Sequence, residues 1–90
     1  MKIKFTEHSK YKMKIFDKIG ISKEAILKTL EDPDETLYDT LTDRLIAINY
    51  KMNIAVPFEK KGENITVITI LYSSELKDIV RRRKRSGRWI

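Results

Sequence analysis

The chain has 90 residues, no cysteine and a formal net charge of +6, and 41% of its residues are hydrophobic. This length predicts one domain over residues 1–90, and the lack of cysteine excludes a disulfide framework and thiolate metal sites. The longest apolar run, residues 67–72, is too short to span a membrane, and the charged N-terminus has no signal-peptide core. We therefore expect a soluble, cytoplasmic protein with no membrane partner.

The charge is distributed unevenly along the chain. Residues 77–90 hold seven basic residues and one acid, which accounts for the whole net charge, whereas residues 1–76 are neutral overall. A separate acidic block, residues 31–43, contains six acids and no lysine or arginine. Such segregation of charge is informative about binding partners rather than about the fold.

Helical spacing dominates the first third of the chain. Thr6 and Ser22 are suited to cap helices that we predict over residues 7–19 and 23–31. On a helical wheel, the first helix has an apolar arc that holds Tyr11, Ile15, Phe16 and Ile19, and inside this arc lie His8 and Lys12.

The pattern then changes to the alternation that is typical of strands. Four strands are predicted, and they cover residues 35–40, 44–51, 54–58 and 65–72. Pro57 indicates an edge or a bulge in the third of them, and a basic helix over residues 75–85 follows. The expected fold is α+β, with two N-terminal helices, a four-stranded antiparallel sheet and a basic C-terminal helix, all helices lying on one face of the sheet.

Four stretches occur in a characteristic order: residues 5–13 (FTEHSKYKM), 20–22 (GIS), 33–34 (PD) and 67–72 (VITILY). Together they resemble the RelE/ParE-like toxin superfamily, and within it the small BrnT-like domains that open with a His-x-x-x-Arg/Lys-Met motif. The resemblance covers about residues 5–74 and implies a RelE-like fold and a toxin-type endoribonuclease that uses no metal or other cofactor. Lys12 stands where these domains usually have arginine. Lysine keeps the positive charge but lacks the planar guanidinium that binds a phosphate through two hydrogen bonds.

Cleavage of RNA without a metal ion requires a base for the ribose 2′-OH, cations around the phosphate, and an acid for the leaving oxygen. The candidates for these catalytic roles are His8, Lys12, Arg44 and Tyr72. A plainer interpretation stays open for each. His8 is then a packed histidine and Lys12 extends its ammonium to solvent, while Arg44 balances the acidic block and Tyr72 is an aromatic residue at a strand end.

The basic run near the C-terminus is the strongest signal in the sequence. It predicts phosphate binding with a steep salt dependence and little reading of base sequence. The candidate nucleic-acid-binding residues are Lys77, Arg81, Arg82, Arg83, Lys84, Arg85, Arg88 and Trp89. Trp89 either stacks on an unpaired base or folds back on the core. The acidic block is a solvated surface, a magnesium site, or a contact for the basic segment of the same or a second chain.

These patterns predict an RNA-binding, RelE-like toxin-type protein, for which the resemblance implies endoribonuclease activity. Two alternatives from other functional classes stay open. One is a non-catalytic nucleic-acid-binding or ribosome-associated module. The other is a protein-interaction domain whose basic segment docks an acidic antitoxin. The sequence does not determine the oligomeric state.

Overall fold

The computed structural model describes residues 2–90. Its elements in chain order are β1 (Lys2–Phe5), α1 (Glu7–Asp17), α2 (Lys23–Glu31), β2 (Glu35–Asp39), β3 (Arg44–Asn49), β4 (Ile54–Lys61), β5 (Asn64–Val67), β6 (Leu71–Tyr72) and α3 (Leu76–Arg85). No helix within residues 2–90 combines the length and the apolar character needed to cross a membrane.

The strands form one mixed sheet. Its order is β1-β5-β4-β3-β2, and β6 pairs with β4 beyond the end of β5. Strands β1 and β5 are parallel, and the other pairs are antiparallel. The prediction of two N-terminal helices followed by a four-stranded antiparallel sheet is therefore wrong, because a strand precedes the helices and the sheet has six strands with one parallel pair.

Strand β1 is the element that the prediction missed. Its sequence, Lys-Ile-Lys-Phe, alternates charged and apolar residues, and Ile3 and Phe5 stand beside Ile65 and Val67 of β5. Four alternating residues are a weak signal by themselves. The partner strand that stabilises them lies near the other end of the sequence, so local pattern could not supply it.

A bulge opposite Pro57 divides the strand that was predicted over residues 65–72. Residues 55–58 of β4 face residues 67–71, so four residues oppose five. Pro57 has no N–H to donate to the ladder, and its carbonyl accepts a hydrogen bond from the backbone N–H of Ile68 at 2.9 Å. Pro57 was expected to mark an edge or a bulge in its own strand, but β4 is central and the extra residue lies in the opposite stretch, residues 67–71, where it separates β5 from β6.

Helices cover both faces of the sheet. On one face, α1 and α2 pack over a cluster that contains Ile26 and Val56, whereas α3 packs on the other face over a cluster that contains Ile46 and Leu76. Strands β3 and β4 each have three successive buried residues, and successive side chains in a strand point to opposite faces. These two strands therefore need cover on both sides, and the prediction that all helices share one face is wrong.

The predicted N-caps of the first two helices are confirmed. The backbone N–H of Ser9 donates to Thr6 Oγ1 at 3.1 Å, and that of Ala25 donates to Ser22 Oγ at 3.1 Å. The Thr6 hydroxyl in turn donates to the carbonyl of Ile68 at 2.9 Å, which ties the start of α1 to the bulge.

The predicted apolar arc of α1 is wrong for three of its four apolar residues, and of the four only Phe16 packs against the core. Tyr11, Ile15 and Ile19 are 63%, 39% and 59% exposed, and His8 is also exposed. The side of α1 that faces the sheet carries the fully buried Ser9, followed by Met13 and Phe16. The bond between Thr6 and the bulge orients the start of α1, so the side of the helix that faces the sheet depends on contacts that are distant in the sequence.

The C-terminal segment, residues 86–90, folds back along the edge strand β2. Tyr38 and Ile90 exchange backbone hydrogen bonds of 3.2 and 2.9 Å, and the N–H of Thr40 donates to the carbonyl of Arg88 at 2.8 Å. Trp89 is only 3% exposed and belongs to the cluster beneath α3. The structure therefore agrees with the second interpretation of Trp89, in which its ring folds back on the core.

Candidate phosphate-binding cleft

Helix α3 presents a basic face to solvent. Leu76, Ile79 and Val80 lie on one side of α3 and pack on the sheet. The opposite side of the helix therefore faces solvent. The exposed side chains of the helix are Lys77, Asp78, Arg81, Arg82, Lys84 and Arg85. Five of these six are basic, and the single acid, Asp78, pairs with Arg81 at 3.3 Å.

The N-terminal part of β2 contacts this face. Lys84 Nζ donates to Glu35 Oε1 at 2.6 Å, and the hydroxyl of Tyr50 donates to the same carboxylate. The hydrogen bonds from Lys84 and Tyr50 hold the pKa of Glu35 below its ordinary value. Burial and the bond to Glu35 raise the pKa of Tyr50 to about 12.

Asp39 anchors the C-terminal segment. Arg88 donates to it through Nε and Nη2 at 3.0 and 3.3 Å, and the backbone N–H groups of Leu41 and Thr42 donate at 2.9 and 3.3 Å. Burial acts to raise the pKa of Asp39, but the bonds from Arg88, Leu41 and Thr42 outweigh it and hold the pKa well below the usual range. The acidic block thus contacts the basic segment within one chain.

A small cavity of about 190 Å³ lies where the bulge, the C-terminal end of α3 and the C-terminal segment meet. We call it the inner cavity. Its polar and charged lining residues include Asp39, Arg44, Thr69, Arg83, Arg88 and Trp89. Three arginines therefore surround it, against one carboxylate that is already bound by Arg88.

Three buried polar side-chain atoms within residues 2–90 have no hydrogen-bond partner, and all belong to side chains that line the inner cavity. They are Arg44 Nε, Thr69 Oγ1 and Trp89 Nε1. Arg44 Nε is 3.6 Å from Glu59 Oε2, which is an ion-pair distance too long for a hydrogen bond. Both N–H groups only donate, and the hydroxyl is able to donate. Buried polar groups are nearly always paired, so the three atoms mark a polar region beside the inner cavity, but they are closed off from solvent and do not identify its occupant.

A larger cavity of about 400 Å³ adjoins the inner one and shares Leu71, Arg83 and Trp89 with it. We call it the outer cavity. It opens beside β6, which pairs only with β4 among the described strands. Helix α1 contributes Lys12 and Phe16, β6 contributes Tyr72, and the charged lining residues are Lys12 and Arg83.

Aromatic rings and cations alternate around the outer cavity. The ring centroids of Phe16 and Tyr72 are 6.3 Å apart. Lys12 Nζ lies 5.4 Å from the centroid of the Phe16 ring, and the guanidinium of Arg83 lies 5.4 Å from that of Trp89. We refer to the two cavities together as the cleft.

Three of the four candidate catalytic residues reach the cleft. Lys12 and Tyr72 line the outer cavity and Arg44 lines the inner one. His8 is exposed near the start of α1 and lines neither cavity. The cleft therefore lacks the histidine that the sequence had suggested as acid or base.

The candidate nucleic-acid-binding residues divide into two groups. Arg83, Arg88 and Trp89 line the cleft. The other five lie on the exposed face of α3, and they are Lys77, Arg81, Arg82, Lys84 and Arg85.

Comparison of the chain with protein-family models, with curated proteins and with solved structures finds no match in any of the three. The resemblance to RelE/ParE-like toxins therefore stays a prediction, and the functional argument rests on the geometry of the cleft and of α3.

Sequence reasoning missed Thr69 and Phe16 as cleft residues. Thr69 reaches the inner cavity because the bulge opposite Pro57 displaces this part of the chain from the ladder. Pro57 was the available signal, but the register of the bulge depends on the folded sheet. Phe16 was placed in the apolar arc, and it packs against the core as well as beside Tyr72 at the outer cavity.

The cleft is chemically suited to hold a phosphate group. The two cavities are lined by four cationic side chains and one carboxylate: Lys12, Arg44, Arg83, Arg88 and Asp39. A general base works best when its pKa is near the operating pH. The pKa of Asp39 is held far below that, so this carboxylate positions Arg88 and is poorly suited to abstract a proton.

Proposed function

We propose that this protein binds RNA through phosphate contacts made by the exposed face of α3 and by the adjoining cleft. The observation that carries the proposal is the concentration of positive charge, with three arginines lining the inner cavity beside a helix that has five exposed basic residues. Arginine forks suit phosphate oxygens, and exposed cations add affinity that falls with salt. A cytoplasmic location is part of this proposal.

Binding without cleavage is the form of the proposal that the geometry favours. The cleft supplies cations for a phosphate, but the single histidine of the chain lies outside it. The one carboxylate in the cleft, that of Asp39, is already bound by Arg88. A relationship to RelE/ParE-like toxins is compatible with this proposal if the phosphate contacts, rather than the nuclease chemistry, are what the two share.

The charge on α3 can be tested with Arg82 and Arg85, because both are exposed and neither forms an ion pair within residues 2–90. Replacing both by alanine should weaken binding to a labelled single-stranded RNA. The slope of log K against log salt should become shallower by about 1.4, since each phosphate contact to a single strand contributes about 0.7. Fluorescence anisotropy at several KCl concentrations measures both quantities.

The matched control replaces Lys60 and Lys61, which are exposed at the end of β4 and carry the same total charge. If this pair weakens RNA binding as much as the α3 pair does, α3 is not the interface.

The same RNA, incubated in EDTA and run on a denaturing gel, should stay intact with the wild-type protein. Products that depend on Lys12 or Tyr72 would overturn binding without cleavage, and absence of RNA binding would favour an acidic protein partner.

A further inference from the structure

The outer cavity has a mixed character that phosphate binding alone does not explain. Apart from Lys12, Arg83 and Ser73, its lining side chains are aromatic or aliphatic. No acid lines it. An anion with an aromatic part would satisfy both properties, because the rings provide stacking surface and the two cations provide charge.

The aromatic surface at this cavity is accessible. Tyr72 is 45% exposed although it lies against Phe16, and the neighbouring Leu71 is 39% exposed. A volume of about 400 Å³ is within the range of pockets that hold small organic ligands. Exposed aromatic rings at the mouth of a basic groove are the usual platform on which proteins stack unpaired bases.

The two cavities are arranged to hold the two ends of one ligand. They share Leu71, Arg83 and Trp89, so a group in the outer cavity is adjacent to the arginines of the inner cavity. A nucleotide has this shape, with a planar base joined through ribose to a phosphate. Bases in a duplex are stacked inside the helix and are not able to enter a side pocket.

We propose that the outer cavity is a nucleobase pocket, and that the cleft takes one unpaired nucleotide with its base beside Tyr72 and its phosphate in the inner cavity. This inference rests on the proposed RNA binding and specifies its substrate as single-stranded RNA. The inner cavity and α3 hold phosphates of any strand, whereas the outer cavity provides the preference for unpaired bases.

The chain carries its own reporter for this site, because Trp89 is the only tryptophan and it lines both cavities. Titration of its fluorescence with AMP, UMP and inorganic phosphate tests the pocket without any RNA. We expect the nucleotides to bind about tenfold more tightly than phosphate, which is the usual worth of one stacked base. Equal affinities for nucleotide and phosphate would overturn the proposal.

Tyr72→Ala removes the exposed ring and should reduce AMP affinity to that of phosphate, while Tyr72→Phe should retain it. Tyr11→Ala is the matched control, because Tyr11 is an exposed tyrosine on α1 that lines neither cavity. Circular dichroism checks that each variant is folded. If Tyr11→Ala and Tyr72→Ala have the same effect, the loss is not specific to the pocket and the proposal fails.

A second comparison separates this proposal from RNA binding in general. Wild-type protein should bind a single-stranded RNA about tenfold more tightly than a duplex of equal length, and Tyr72→Ala should lose the preference while keeping duplex binding. Tight binding without preference would overturn the nucleobase pocket and leave the proposed function standing. Nucleotide binding to Trp89 with no binding of either RNA would overturn the proposed function instead.

Discussion

Asp39 shows how one residue combines a structural and an electrostatic role. Its carboxylate accepts hydrogen bonds from Arg88 and from two backbone N–H groups of the turn that follows β2. Its backbone bridges to Trp89 across the edge of the sheet. The side chain is therefore both a member of the acidic block and the anchor that keeps Arg88 at the inner cavity.

Replacing Asp39 by alanine should lower the free energy of unfolding by about 2 kcal/mol at pH 7, because buried donors lose a charged acceptor. The folded pKa of Asp39 is below its unfolded value, so its contribution is fully present above about pH 4 and is lost as pH falls towards the folded pKa. Urea unfolding from pH 5 to pH 2.5 measures the difference between variant and wild type.

The difference should shrink as the pH falls below about 4, because the unfolded chain then takes up a proton at Asp39 while the folded protein still holds this carboxylate ionised. Asp17→Ala, which removes an exposed carboxylate from α1, serves as the control and should have little effect at any pH. A difference for Asp39→Ala that is constant with pH would show that the carboxylate charge does not stabilise the fold.

At the scale of elements, the features that depend on neighbouring residues could be predicted from the sequence. The bounds of α2 and the caps at Thr6 and Ser22 follow from local chemistry. The features that depend on distant contacts could not be predicted in this way. Strand β1 needs β5, and the rotation of α1 needs the bond from Thr6 to Ile68.

The candidate site follows the same division. Arg44 and Tyr72 were recognisable as polar residues at predicted strand ends, and both line the cleft. His8 was selected from a wheel whose orientation is set by a long-range bond, and it lies outside. Thr69 is brought in by a bulge whose register only the sheet determines.

The basic C-terminal segment is a structural element as well as a charged surface. Trp89 packs with Leu76 and Val80 in the core beneath α3, and the backbone of residues 88–90 pairs with β2. We expect Trp89→Ala to lower the free energy of unfolding by about 3 to 4 kcal/mol, since it removes a buried indole and leaves a cavity. Thermal or urea unfolding measures this loss.

Ile90→Ala is the control for that experiment, because the side chain is 66% exposed at the end of the same segment. It should change stability by less than about 0.5 kcal/mol. Comparable losses from both substitutions would contradict a specific role for the buried ring. A chain truncated before residue 88 loses Trp89 and should have a similarly lowered free energy of unfolding. The basic charge is therefore better tested by substituting individual arginines than by truncation.

For the whole molecule, the two oppositely charged segments partly neutralise each other within one chain. Glu35 binds Lys84 and Asp39 binds Arg88, and both pairs connect β2 to the region of α3. The basic residues that remain without an acidic partner, such as Arg82 and Arg85, lie towards solvent. If α3 binds RNA as proposed, the RNA must compete with Glu35 for Lys84, and the acidic block would limit the affinity for polyanions.

Glu35→Gln tests this competition, and it should raise affinity for single-stranded RNA about threefold. Lys84 is then released for one more phosphate contact, which steepens the slope of log K against log salt by about 0.7. Stability should change little, because Lys84 is 45% exposed in this pair. Glu63→Gln, in the exposed turn between β4 and β5, removes the same charge away from α3 and should leave the slope unchanged. Affinity that is unaltered or reduced in Glu35→Gln would show that the acidic block positions α3 for RNA and does not compete with it.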